Sequence, residues 1–287
     1  NGVVAEGISQ SPQEVTATCA KNIAAGQTAV GRMASLAGCQ IRVYDVGINT
    51  RETLCNVIDE KVAHGTKDFY KEPAMDETQM RQALQCGLDA VYACKCDNLD
   101  YVCIGEMGIG NTTTSSAVAS VLLGCDPLLV TGRGAGLSDS GLSRKLEAIK
   151  KAIKLHHPDP EDPLSVLSML GGFDIAGMVG LYLGGALYQV PVLIDGVISA
   201  VAALLAVKIC PASKKAMLAT HVSAEPAGCM ILDAIGLEPM ITAGMRLGEG
   251  TGALCAIPML DMACSVYQGS TFGELSIEAY EEQGSQL

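Results

Sequence analysis

A glutamate that stands between two glycines is the strongest candidate for acid–base chemistry in this chain. Glu249 follows Gly248, precedes Gly250, and lies just before an apolar helical segment that begins near Thr251. Because glycine has no side chain, the carboxylate is open to a ligand, and apolar walls would raise its proton affinity towards that of a general base. An acidic residue near a helix N-terminus is also stabilising. The residues alone leave a catalytic base and a helix cap as equal alternatives.

Two glycine-rich runs, at residues 105–114 and 132–136, could bind an anion. A loop without side chains lets backbone N–H groups approach a phosphate, and the helix that follows adds its N-terminal dipole. The threonines at 112–114 could cap that helix or bind phosphate themselves. A tight strand-to-helix turn is the alternative for either run. Neither run contains a Walker A motif or a strict Gly-x-Gly-x-x-Gly, which disfavours a nucleoside triphosphatase or an ordinary dehydrogenase.

These runs follow short apolar segments that predict β-strands at 41–46, 101–105, 128–131, 192–195 and 217–223. Helical patterns separate them, at 13–38, 76–94, 112–123, 141–155, 174–188, 197–208, 226–235 and 251–267. Strands that alternate with helices predict a parallel sheet with helices on both faces. The carboxyl ends of four of these strands would then meet at one rim, which is where ligands bind in open α/β sheets.

The remaining segments are polar. Residues 156–164 predict a proline-rich surface loop, residues 47–75 an irregular excursion, and the acidic stretch after Gly269 a solvated final helix. The apolar stretch 176–209 is interrupted by Pro191 and Asp195, so it predicts a buried helix, a buried strand and another helix rather than a membrane span.

Charge and cysteine content exclude several functional classes. The net charge of −12 argues against nucleic acid as a partner, since nucleic-acid binders present a basic face. The twelve cysteines contain no C-x-x-C pair, which predicts free thiols and a reducing cytoplasm. No His, Asp or Glu cluster has metal-ligand spacing, so we expect neither a metal nor another cofactor. The chain has no basic leader at Asn1, so no signal peptide is expected.

Six runs, at residues 7–12, 105–113, 171–174, 193–196, 221–225 and 245–252, resemble the nicotinate-nucleotide–dimethylbenzimidazole phosphoribosyltransferase family in order along nearly the whole chain. The resemblance implies a Rossmann-like α/β domain, a small helical domain built from both chain ends, and a homodimer. We expect the large domain at 39–250 and the small one at 1–38 with 251–287, its N-terminal part incomplete because the chain opens inside a family motif.

The resemblance also implies residue roles. Glu249 matches the general base, and Ser11 matches a residue of the pocket for the acceptor base. The positions that match the nucleotide site are Glu106, Gly108, Gly132, Gly134, Lys145, Asp174, Asp195, Ser223 and Gly248.

Some of these residues have other readings when they are considered alone. Lys145 could be a solvated helix lysine, and Ser223 could be a structural hydroxyl at a strand end. Asp174 and Asp195 need partners that are either ribose hydroxyls or backbone N–H groups. His221 is better explained as a satisfied core histidine than as a catalytic one.

The implied reaction transfers phosphoribose from nicotinate mononucleotide to 5,6-dimethylbenzimidazole or a similar base, giving α-ribazole 5'-phosphate and nicotinate in cobalamin nucleotide-loop assembly. Cys19 departs from the family pattern, because some relatives have glutamine there facing the base. The acceptor could therefore be a different benzimidazole, a purine such as adenine, or a phenol. A non-catalytic nucleotide-binding subunit is the alternative from another class.

Overall fold

The computed structural model describes residues 1–278. Its strands are β1 Val43–Asp45, β2 Val57–Asp59, β3 Val102–Cys103, β4 Val192–Ile194 and β5 Met217–Ala219. Its α-helices are α1 Val15–Ala24, α2 Ala29–Ala37, α3 Glu77–Cys96, α4 Asn111–Leu123, α5 Pro127–Val130, α6 Asp139–His156, α7 Pro163–Leu170, α8 Phe173–Tyr188, α9 Val197–Ile209, α10 Gly228–Ile235 and α11 Thr251–Tyr267. Short 3-10 helices span Gly2–Glu6 and Pro211–Ala216.

The strands form parallel sheets, as the alternation of strands and helices predicts. In the larger sheet β4 lies between β3 and β5, and Val192 pairs with both Val102 and Met217. All three residues of β4 are buried, which explains why this strand reads as a continuous apolar run. The protein is therefore a mixed α/β fold whose central strand lies in the interior.

The single sheet that the sequence predicts is divided in two. β1 pairs in parallel with β2, and this small sheet is separate from β3–β4–β5. Residues of both β1 and β3 line one cavity, which lies where a continuous sheet would have joined them. β2 itself lies inside the segment 47–75, which the sequence predicts to be irregular.

The strand predicted at 128–131 is wrong, because the chain forms the short helix α5 there. The Asp126 carboxylate accepts a hydrogen bond from the Leu128 N–H at 2.8 Å, and Pro127 occupies the first helical position. A capping aspartate followed by proline starts a helix, and this local signal outweighs the apolar character of the run. Leu128 and Leu129 are consequently exposed rather than buried.

Smaller differences have similar local causes. The predicted helix 13–38 is two helices, because Gly26 between them adopts a left-handed φ of 69°. Helix α7 is absent from the prediction, although Asp162 caps it and Pro163 begins it. Residues 272–276 form turns rather than the predicted acidic helix, and the end of that predicted helix lies outside the described residues.

Helices α3 and α8 are in backbone contact. A Cβ atom added to Gly87 would overlap the carbonyl oxygen of Gly177, and one added to Gly180 would overlap that of Leu84. Glycine is therefore required at both positions for the helices to approach this closely. The contact fixes α8, whose first turn carries Asp174.

Helices from the two chain ends also pack together. Val30 and Ala34 of α2 share a hydrophobic cluster with Leu254 and Ile257 of α11 and with Leu193 of β4. The division into a large and a small domain stays a prediction, since this cluster includes a residue of the central strand.

The apolar stretch 176–209 forms most of α8, then β4 and α9, which confirms the predicted helix, strand and helix. No helix within residues 1–278 has the length and apolarity needed to cross a membrane. All twelve cysteines are free thiols.

Candidate active site

The carboxyl end of β4 leads directly to Asp195, a buried carboxylate that binds a loop from the far end of the chain. Its Oδ2 accepts a hydrogen bond from the Gly250 N–H at 3.0 Å. Its Oδ1 accepts from the Gly252 N–H at 2.7 Å and from the Ala253 N–H at 3.1 Å. The sequence leaves ribose hydroxyls and backbone N–H groups as possible partners of Asp195, and in the structure backbone N–H groups donate to it.

This loop presents Glu249 in an unusual backbone conformation. Glu249 has a φ of 62°, between Gly248 at 84° and Gly250 at 89°. A left-handed backbone costs a non-glycine residue about 1–2 kcal/mol, and such strain concentrates at functional sites. Gly105 must also be glycine, because a Cβ atom there would overlap the Glu249 carbonyl oxygen.

The side chain of Glu249 does not cap α11. The N-cap residue of α11 is Gly250, and the helix has no side-chain bond from its cap residue, because Asp195 supplies the carboxylate. The Oε2 atom of Glu249 is instead buried without a hydrogen-bond partner among the described residues. An unpartnered buried carboxylate oxygen is costly, which points to a ligand or a proton as its partner.

Two further carboxylates lie beside Glu249. The Glu106 carboxylate accepts a hydrogen bond from the Asn111 side-chain amide, and its other oxygen lies 2.8 Å from the place a Cβ atom of Gly248 would occupy. Asp174 has its Oδ2 buried without a partner in the described part of the chain, and a Cβ atom on Gly108 would overlap this oxygen. Gly108 and Gly248 therefore leave space for these two acids.

Burial raises the pKa of Glu106 to about 8, although the hydrogen bond from Asn111 opposes the shift. The negative charges of Asp174, Asp195 and Glu249 raise this pKa further. Like charges that share a desolvated site cannot all be ionised cheaply. The cluster therefore suits a cationic ligand or transition state, or a proton in transit.

Lys145 lies in a second cluster and is fully buried, so a solvated helix lysine is excluded. Its ammonium donates to the Thr112 hydroxyl at 3.0 Å and to the Gly132 carbonyl at 2.9 Å. Burial lowers the pKa of Lys145 to about 8, opposed by the charge of Glu225. An ammonium has three donors, and within residues 1–278 no carboxylate lies within ion-pair distance of this one. A buried cation with a donor to spare is suited to binding an anion.

Gly132 and Gly134 lie beside the groups that Lys145 contacts, and Ser223 contacts the neighbouring Glu225. A Cβ atom on Gly132 would overlap the Glu225 carboxylate, and one on Gly134 would lie 3.0 Å from the Thr112 hydroxyl. The buried Ser223 accepts a hydrogen bond from the Glu225 N–H at 3.3 Å. These glycines therefore leave room for polar side chains rather than only shaping turns.

A cavity of about 490 Å³ connects the acidic cluster with the surface of the small sheet. Among the predicted site residues, those that line it are Glu106, Gly108, Asp174 and Glu249. Those that do not line it are Ser11, Cys19, Gly132, Gly134, Lys145, Asp195, Ser223 and Gly248. Burial and then the charge of Glu249 raise the pKa of the Cys19 thiol, so Cys19 lies within electrostatic range of Glu249. Ser11 is half-buried, and its N–H donates to the Ser9 hydroxyl at 3.2 Å.

Sequence reasoning missed Asn111, which binds Glu106, and Thr16, whose hydroxyl accepts from the Ile109 N–H at 3.2 Å. The glycine run before Asn111 is a signal for its role, because a polar residue that opens a helix after such a run is well placed to face a ligand. The contact of Thr16 spans 93 residues, and no local pattern indicates it. Within residues 1–278, no three His, Cys, Asp or Glu side chains are arranged so that they could hold a metal ion.

His221 is a core histidine. Its ring is buried and occupies the place that a side chain at Gly252 would need. Its Nδ1 lies 3.3 Å from the Thr220 hydroxyl, which donates to the Ile194 carbonyl at 2.5 Å. Burial lowers the pKa of His221, opposed by the charge of Asp195, so the ring is neutral near pH 7.

The parallel α/β fold thus brings a buried cation and an acidic cluster together at the start of one helix, α4. A family model described as phosphoribosyltransferase matches residues 1–277. The chain is 44% identical over 282 residues to the nicotinate-nucleotide–dimethylbenzimidazole phosphoribosyltransferase of Ruminiclostridium cellulolyticum, covering 98% of this chain and 80% of that protein. The same enzyme of Acetivibrio thermocellus is 44% identical over 284 residues, covering 99% and 81%.

The crystal structure of CobT from Thermus thermophilus superposes with a TM-score of 0.92 at 36% identity, covering 97% of this chain and 84% of that one. The chain therefore belongs to the phosphoribosyltransferase family that contains the nicotinate-nucleotide–dimethylbenzimidazole enzymes.

Proposed function

We propose that this protein transfers the phosphoribosyl group of nicotinate mononucleotide to 5,6-dimethylbenzimidazole or a similar base, in assembly of the cobalamin lower ligand. The names of the relatives support this reaction. The observation that carries it is the Glu249 carboxylate, which lines the cavity and has a buried oxygen without a partner among the described residues. A non-catalytic nucleotide-binding subunit would have no use for such a strained and unpartnered carboxylate.

The phosphate of the donor is assigned to the Lys145 cluster. The buried ammonium has a donor that neither Thr112 nor Gly132 uses, and α4 directs its positive N-terminal end to the same region. Gly132 and Gly134 lie beside the groups that Lys145 contacts, and we assign them, with Ser223, to the proposed phosphate and ribose site.

The acidic cluster is assigned to the reacting carbon. The nicotinate ring of the donor is a pyridinium, so the C1'–N bond breaks with its electron pair moving to the ring nitrogen, and no strong general acid is needed. Glu106 and Asp174 would stabilise the oxocarbenium-like carbon through their negative charge. The lone pair of the acceptor nitrogen forms the new C1'–N bond from the opposite face, which converts the β-nucleotide into an α-product.

The proton on the other nitrogen of the acceptor is transferred to Glu249. Neutral benzimidazole attacks through its bare nitrogen and must lose this proton for the product to be neutral. A partly desolvated carboxylate is suited to accept it, and holding donor and acceptor in line supplies a further large part of the rate. Cys19 and Ser11 are assigned to the acceptor pocket, where the thiol offers a weakly polar contact.

A homodimer belongs to the same proposal. Exposed apolar side chains on α2 and α11 form a candidate dimer surface that consists of Leu36, Met259, Met262, Val266 and Tyr267. Sedimentation velocity should give the mass of a dimer, and a Val266→Asp, Met262→Glu double variant should give that of a monomer. A cytoplasmic location is also proposed, since twelve free thiols persist in a reducing compartment.

The direct test is to mix the protein with nicotinate mononucleotide and 5,6-dimethylbenzimidazole and to measure free nicotinate and α-ribazole 5'-phosphate by chromatography. We expect both products in equal amounts. Adenine and p-cresol serve as competing acceptors. Equal turnover of the phenol and the benzimidazole would remove the preferred acceptor, and no turnover of any base would remove the enzyme assignment.

A further inference from the structure

Asp195 holds the loop that carries Glu249, and its carboxylate faces that loop rather than the cavity. It accepts hydrogen bonds from the backbone N–H groups of Gly250, Gly252 and Ala253 at 2.7–3.1 Å. The residue is 2% exposed, and it is absent from the lining of the cavity that Glu249 faces. A ligand in that cavity would therefore meet Glu249 but not Asp195.

The loop needs such an anchor because its conformation is strained. Residues 248–250 all have positive φ values, of 84°, 62° and 89°. The strain at Glu249 persists only if the surrounding structure holds it in place. Gly250 and Gly252, whose N–H groups donate to Asp195, closely follow Glu249 in the chain. These hydrogen bonds therefore fix the point from which the Glu249 side chain extends.

His221 supports the same anchor from the other side. Its ring fills the space beside Gly252, and a Cβ atom there would also lie 2.9 Å from Oδ1 of Asp195. The glycine at 252 thus lets one backbone N–H reach Asp195 while the imidazole packs against it. The anchor comprises Asp195, His221 and the first turn of α11.

We propose that Asp195 is a positioning residue that sets the place and direction of the Glu249 carboxylate, and that it does not bind the nucleotide. The inference rests on the proposed phosphoribosyl transfer, in which Glu249 accepts the proton. Asp195 acts through backbone atoms, so it should affect the rate of the chemical step and not the affinity for the donor.

The test compares Asp195→Asn with the wild-type protein. The amide has the same shape, but it replaces one accepting oxygen with a donor that would face a backbone N–H. A general base displaced by about 1 Å loses on the order of 10²-fold in rate. We expect kcat to fall by about that factor, while the Kd for nicotinate mononucleotide, measured by calorimetry, stays within about threefold of the wild-type value.

Gly252→Ala provides a second variant, because it disturbs the anchor without changing any charge or any proposed ligand-binding group. We expect the same loss in kcat with an unchanged Kd. Asp76→Asn is the matched control: it also removes a carboxylate that accepts a backbone N–H at a helix start, from Gln79 at 2.8 Å, but in α3. It should leave kcat unchanged.

Amide hydrogen exchange of the 248–253 peptide separates this inference from the proposed function. Protection of these amides in the wild type and its loss in Asp195→Asn but not in Asp76→Asn would support the anchor even if no base were turned over. A tenfold or larger rise in the Kd for nicotinate mononucleotide with kcat retained would make Asp195 a nucleotide ligand instead. Unchanged kcat or unchanged exchange in Asp195→Asn would also overturn the proposal.

Discussion

The acidic cluster and the lysine cluster meet at the start of one helix, α4, and they differ in sign. Asn111 and Thr112 are consecutive residues at the start of α4, and they bind Glu106 and Lys145 respectively. Burial raises the pKa of Glu106 to about 8 and lowers the pKa of Lys145 to about 8. One physical cause therefore moves an acid and a base towards their neutral forms in the free protein.

Two adjacent clusters of opposite character are suited to a substrate that carries both a negative and a positive charge. A phosphate would favour the charged form of Lys145, and a positive pyridinium or glycosyl carbon would favour the charged form of Glu106. Under the proposed assignment, the donor would supply to each cluster the countercharge that the protein leaves out. Glu249 differs from both, because its Oε2 atom has no hydrogen-bond partner within residues 1–278.

The largest expected effect comes from Glu249→Gln, which would show whether the acidic cluster performs proton transfer. Loss of a general base lowers kcat by about 10²–10⁴-fold, while the Kd for nicotinate mononucleotide should stay near the wild-type value. Glu147→Gln, an exposed glutamate on α6, is the control. Normal turnover in Glu249→Gln would refute the general-base role.

Lys145→Met tests the other cluster. The methionine has a similar length but no charge, so we expect the Kd for nicotinate mononucleotide to rise by about 10–150-fold. This factor corresponds to the free energy of a hydrogen bond to a charged group. The affinity for nicotinate riboside, which lacks the phosphate, should change little. Lys150→Met, exposed on the same helix, is the control. Equal losses for the nucleotide and the riboside would place the phosphate elsewhere.

The two clusters should also give opposite dependences of stability on pH. Glu106 keeps its proton when folded between pH 4.5 and about 8, so the free energy of unfolding falls as pH rises through that window. Lys145 loses its proton when folded between about pH 8 and 10.5, so the free energy of unfolding rises with pH there.

Urea unfolding at several pH values would measure both trends. As pH rises from 4.5 to 8, the free energy of unfolding of Glu106→Gln should increase relative to that of the wild type. As pH rises from 8 to 10.5, the free energy of unfolding of Lys145→Met should fall relative to that of the wild type. Each change should be about 1–2 kcal/mol after allowance for partial solvent access. Parallel curves for the two variants would mean that the clusters do not differ in this way.

The smallest expected effect is on acceptor choice. Cys19→Gln restores the amide that the resemblance implies at this position in some relatives, so the ratio of kcat/KM for adenine to that for 5,6-dimethylbenzimidazole should fall by about two- to tenfold, a factor that corresponds to the free energy of one hydrogen bond. Cys229→Ser on the surface is the control. Competition assays with both bases present give the ratio directly, and an unchanged ratio would remove Cys19 from the acceptor pocket.

Much of the fold follows from local sequence, and most of the differences have a local explanation too. The positions of β4 and α11 are predicted because their apolar patterns end in clear polar or glycine signals. The strand predicted at 128–131 is wrong because Asp126 and Pro127 start a helix there. The separation of β1 from β3 has no local signal, since strand pairing depends on contacts distant in sequence.

The site shows the same limit more clearly. Sequence identified Lys145 as a candidate, but only tertiary packing distinguishes it from its exposed neighbours Lys150 and Lys154. The helix-cap alternative for Glu249 is excluded by a carboxylate more than fifty residues away, because Asp195 already fills the capping role. Candidate residues could therefore be named from sequence, whereas their partners could not.

The glycine contact between α3 and α8 has a genetic consequence. Every single-nucleotide missense change in the codons for Gly87 and Gly180 adds a side chain where the neighbouring backbone leaves no space. Overpacking of this kind costs about 1–3 kcal/mol or more, a large part of a domain's stability margin. Because α8 carries Asp174, temperature-sensitive loss-of-function alleles are expected at these two codons.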